Sequence, residues 1–76
     1  MNRIRELREG ANVKQADLYR QLKWKQSRLA NYERGARTPG LDEARRIVHA
    51  LNALGVSCSM ADVFPEPEIG AERLAS

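Results

Sequence analysis

The chain has 76 residues, 42% of them hydrophobic and 30% charged, with a formal net charge of +3, the balance of one small globular domain with no room for a second. No apolar run approaches the length of a membrane span, and the opening MNRIRELREG lacks the apolar stretch of a signal peptide, which predicts a cytoplasmic protein without a membrane partner. Cys58 and His49 are the only cysteine and histidine, so no intramolecular disulfide forms, no metal cluster is visible and no cofactor is expected. The charge is unevenly spread. Residues 1–39 hold ten Lys/Arg against four Asp/Glu, and residues 40–76 hold three against six; such asymmetry directs the first half toward a polyanion.

Apolar spacing predicts five short helices and no strand. Ile4 and Leu7 are three apart, and Gly10 marks the end of the first helix. Leu18 and Leu22 are four apart in a second helix from about Gln15 to Leu22. Leu29 and Tyr32 define a third, from about Gln26 to Arg34, which stops at Gly35. Thr38-Pro39-Gly40 breaks the chain. In the fourth helix Leu41, Ala44, Ile47, Val48, Leu51 and Leu54 form one stripe, and Gly55 ends it. Ser59, with Asp62 three residues later, reads as the N-cap of a short fifth helix through Val63 and Phe64. This places a folded domain at 1–64 and a proline-punctuated tail at 65–76, either disordered or dimer-forming.

The second and third helices are joined only by a few residues around Lys23-Trp24-Lys25. A connection that short makes them cross steeply, so that the third helix protrudes. At 100° per residue, Leu29, Tyr32 and Glu33 face inward. Ser27, Asn31 and Arg34 face outward, with Gln26 at the leading end and Ala30 beside them. This outer face has no acid. Gln and Asn amides match an adenine edge and Arg a guanine edge, although an ordinary solvated face fits the same residues.

From residue 4 to residue 64 the chain resembles the Cro and lambda-repressor helix-turn-helix family, also called the xenobiotic-response-element class. The matching residues are Ile4-Arg5-Glu6-Leu7-Arg8, Gln15-Ala16-Asp17-Leu18, Tyr32-Glu33-Arg34-Gly35 with Pro39, Ala50-Leu51 and Leu54-Gly55-Val56. The resemblance implies an all-α, compact five-helix domain that docks its third helix in the major groove of double-stranded DNA, usually as a homodimer on a palindromic operator. It implies base contacts from Gln26, Ser27, Arg28 and Asn31, and phosphate contacts from Gln15, Lys25, Arg34, Arg37 and Thr38. Arg8 and Glu33 would tie the first helix to the third. Val56, Met60, Val63, Phe64 and Ile69 are the dimer candidates. With no space for a sensor domain or a small-molecule pocket, the chain resembles a phage Cro-type or compact prophage repressor.

Four positions depart from the family pattern. Tyr19 stands where a small residue is usual, Lys23 where the turn usually has glycine, and Lys25 where Ser or Thr usually caps the third helix. Trp24 replaces a Val-like residue and is expected to cover the core edge near Leu29. An antitoxin-type or protein-interaction module of the same fold, its tail binding a partner, is the rival reading. An enzyme is disfavoured because no nucleophile–base pair, paired carboxylates or phosphate loop is visible. Four aromatics without a platform disfavour single-stranded RNA.

Overall fold

The computed structural model describes residues 2–65. Within them lie α1 (Ile4–Gly10), α2 (Gln15–Leu22), α3 (Gln26–Arg34), α4 (Leu41–Ala53) and α5 (Met60–Val63), and no strand occurs among the described residues. The all-α, five-helix reading stands, and the tail from 66 onward, with Ile69, lies outside the described residues.

Local chemistry accounts for the boundaries. At the start of α2, the Asp17 carboxylate accepts the Lys14 backbone N–H at 3.2 Å, placing an acid against the positive end of the helix. The helix stops at Lys23, whose φ of 62° and ψ of 37° are left-handed. That conformation costs a residue with a Cβ about 1–2 kcal/mol, so Lys23 bears the strain that a glycine would avoid. Gly35, at φ 78°, closes α3 at no such cost. Pro39 is fully buried in the connection to α4.

In α4 the buried residues are Ala44, Ile47, Ala50 and Leu51, the three- and four-residue spacing of one helix face. Val48 and Leu54 pack at its edge, half-buried. Leu41 departs from the expected stripe: it is 49% exposed, because the first residue of the helix projects before the stripe reaches the core. In α5 the Ser59 hydroxyl accepts the Asp62 N–H at 3.3 Å, and the Asp62 carboxylate accepts the Ser59 N–H at 2.8 Å. This reciprocal cap stabilises a helix too short to persist by propensity alone.

One core joins all five helices. Ile4, Leu18, Leu29, Ile47, Leu51 and Val63 have no exposed surface. The two ends of the domain are also fastened by polar contacts. Arg3 donates its backbone N–H to the Val63 carbonyl at 2.8 Å. The Asn2 side chain donates to the Tyr32 carbonyl at 2.7 Å and accepts the Ile4 N–H at 3.1 Å.

This closure revises the dimer candidates. Val63 is fully buried, and Val56 and Phe64 are each only 5% exposed. In so small a domain the short fifth helix must spend its apolar side on its own chain. Met60, half-buried, also packs against the core.

Candidate nucleic-acid interface

The site is built outward from a buried ion pair. Arg8 on α1 donates from Nε and Nη2 to the two carboxylate oxygens of Glu33 on α3, at 2.9 and 3.0 Å. Both side chains are more than nine-tenths buried. The Arg8 Nη1 donates to the Val13 carbonyl at 3.0 Å, so the guanidinium spends its fork on a carboxylate and on the loop before α2. The pair expected to join the first and third helices does so.

The chain of bonds continues to the surface. Gln15 at the start of α2 donates its amide to Glu33 at 3.1 Å, and Gln26 at the start of α3 donates to the Gln15 carbonyl oxygen at 2.9 Å. Two glutamines at the N-termini of consecutive helices are thereby held side by side, Gln15 half-buried and Gln26 exposed. Their orientation is set by contacts inside the protein rather than by solvent, which lowers the entropy cost of using them on a ligand.

Along α3, Leu29 and Tyr32 are buried, Ser27 and Arg34 are exposed, and Ala30 and Asn31 are half-buried. The outward group is therefore open, and neither Ser27 nor Asn31 is hidden beneath a neighbour. Arg34 donates to the Asn31 side-chain oxygen one turn away, so these two act as one unit, with the Asn31 amide N–H groups still available. Lys25, at the start of α3, makes no side-chain capping bond, as expected for a lysine at that position. The residue is exposed at the N-cap, the positive end of the helix. Arg37 and Thr38 are exposed on the following loop. The Ala36 and Arg37 N–H groups donate to the Asn31 carbonyl at 2.9 and 3.3 Å and hold that loop against the end of α3.

Arg28 stands apart from the outward group. Its guanidinium lies 4.2 Å from the centre of the Trp24 ring, and its Nη2 is 3.6 Å from Oε2 of Glu43 on α4. Trp24 itself is only 8% exposed, with the Arg46 guanidinium 5.8 Å from its ring centre and Tyr32 tilted against it at 5.6 Å. The expectation that Trp24 covers the core edge is met. Each cation over such a ring is worth about 0.5–1 kcal/mol when exposed, so Arg28 has a defined resting place without being locked there.

Two residues of this region were missed in the sequence. Asn2 carries a usual capping side chain, and that signal was available in the residue type. Glu43 reads only as an acid in the first turn of a helix. Nothing in its neighbourhood of the sequence points to Arg28, because their meeting depends on how α4 crosses α3.

A family model described as a helix-turn-helix domain matches residues 2–57, which takes in α1 through α4 and the loop beyond. No curated protein and no solved structure matches the chain. Among the described residues no helix is long and apolar enough to cross a membrane. The packing of α2 against α3 across a three-residue connection and the matched family agree: the chain belongs to the helix-turn-helix domain family.

Proposed function

We propose that this protein is a sequence-specific double-stranded DNA-binding regulator of transcription, a repressor of the compact Cro type, which lays α3 in the major groove. The carrying observation is the outward face of α3. Ser27, Asn31 and Arg34 are accessible and free of acid, while Gln26 is aimed by its bond to Gln15. Gln26, Ser27 and Asn31 read base edges. Gln15, Lys25, Arg34, Arg37 and Thr38 contact phosphates and set the register.

A single α3 reads few base pairs. A symmetric dimer reads two half-sites about one helical turn apart, and its operator is correspondingly palindromic. With Val56, Val63 and Phe64 committed to the core, the dimer contact falls to Met60 and the segment carrying Ile69. Selection of bound duplexes from a random pool tests the reading. A palindrome with half-sites one turn apart is the expected product, a non-palindromic site contradicts the dimer, and recovery of no preferred sequence contradicts specific recognition.

A further inference from the structure

Glu43 is the one acid among the residues lining the open depression formed by Ser27, Arg28, Asn31, Tyr32 and Arg37. An anion there opposes a phosphate backbone, so its presence on α4, beside the acid-free outward face of α3, needs a reason. Its carboxylate also lies close to the start of its own helix. A Cβ built on Gly40 would meet Oε1 of Glu43 at 2.8 Å, which shows that the side chain folds back over the start of α4. That oxygen sits at the positive end of the α4 dipole. The other oxygen, Oε2, faces Arg28 at 3.6 Å, and the two side chains are 34% and 43% exposed.

We infer that Glu43 is a specificity-determining residue: it holds Arg28 on Trp24 as an internal stand-in for phosphate, and releases it only to a base edge that offers two hydrogen-bond acceptors at once. The inference rests on the DNA-binding reading above. Moving Arg28 from Glu43 to a backbone phosphate exchanges one anion for another and gains little. A guanine edge accepts two bonds from a guanidinium, deep in the field of both strands, and there the exchange is favourable. The long, partly exposed ion pair suits this role, since such a pair is weak enough to open. Trp24 keeps the released state costly by offering the guanidinium a ring face on the protein side.

Glu43→Gln should then bind a random-sequence duplex about 3- to 10-fold more tightly at low salt, with a log–log salt dependence steeper by about one. In an Arg28→Ala background the same substitution should change affinity less than twofold. An equal gain in both backgrounds would mean plain repulsion by Glu43 and would overturn the gate. So would an unchanged salt dependence in Glu43→Gln when the wild type binds DNA normally. A wild type that binds no duplex at all overturns the DNA-binding reading itself, and the gate with it. Trp24, the one tryptophan, supplies a second readout that needs no variant. Its emission should shift with a duplex recovered by selection and stay in place with a random one; no shift with the selected duplex contradicts release.

Discussion

Asn31 and Glu33 are two positions apart on α3 and have opposite duties. Asn31 points outward, bonded to Arg34, and its truncation leaves the core untouched. Asn31→Ala is expected to cost about 1–3 kcal/mol on the selected site and to relax sequence preference there, with the melting temperature unchanged; equilibrium binding and thermal unfolding separate the two effects. Glu33 is inward, and Glu33→Ala abandons a guanidinium that is only 6% exposed as a residue. Breaking one partner of such a pair costs about 3–5 kcal/mol, against a total stability on the order of 4–11 kcal/mol for a chain of this size. The melting temperature should fall by about 10 °C or more, and DNA affinity should fall with it. An unchanged melting temperature would remove the pair from the fold's support. Helical phase alone separated these two residues, because 100° per residue needs no knowledge of neighbours. Arg28 was not legible in this way. Its partners Trp24 and Glu43 lie on the turn before α3 and on the next helix, and only packing brings them together.

At the scale of elements, boundaries were readable wherever a local signal sets them: Gly35 and Gly55 in left-handed conformation, Pro39 in the break, and Ser59 with Asp62 at the start of α5. Leu41 misled because periodicity is blind to where a helix first meets the core. Lys23 was legible as a conflict, a side chain where the turn favours glycine, and the structure keeps the turn and strains the residue. Lys23→Gly is therefore expected to raise stability by up to about 1 kcal/mol, the relief of strain offset in part by the chain entropy glycine loses on folding; a denaturant titration measures it. The Asp62 carboxyl is held below its usual range, first by the hydrogen bond from the Ser59 backbone and then by that with the Ser59 side chain. Its folded value lies below its unfolded one of about 3.9. The cap thus contributes fully above that pH, and its contribution is lost as pH falls through the folded value. Asp62→Asn should abolish that part of the acid sensitivity, seen by comparing unfolding of the two proteins between neutral and strongly acid pH.

For the whole molecule, the basic first half is the half that carries α2, α3 and the loop with Arg37, while the acids concentrate after residue 40. That polarity orients the domain on a polyanion before any specific contact forms. Lys25, Arg34 and Arg37 are the charged phosphate candidates in each subunit. A dimer neutralising six phosphates should show a log–log salt slope of about −5, close to a thousandfold loss of affinity between 50 and 200 mM salt, and a monomer a slope of about −3. Binding indifferent to salt would contradict phosphate contact altogether. The claim on which the rest depends is that the outward side of α3 meets the bases, and amide chemical-shift mapping during titration with a selected duplex tests it most directly. The largest changes should fall on Gln26, Ser27, Asn31 and Arg34, with Gln15 and Arg37 beside them. Changes confined to α5 and the exposed side of α4, with α3 unmoved, would contradict it.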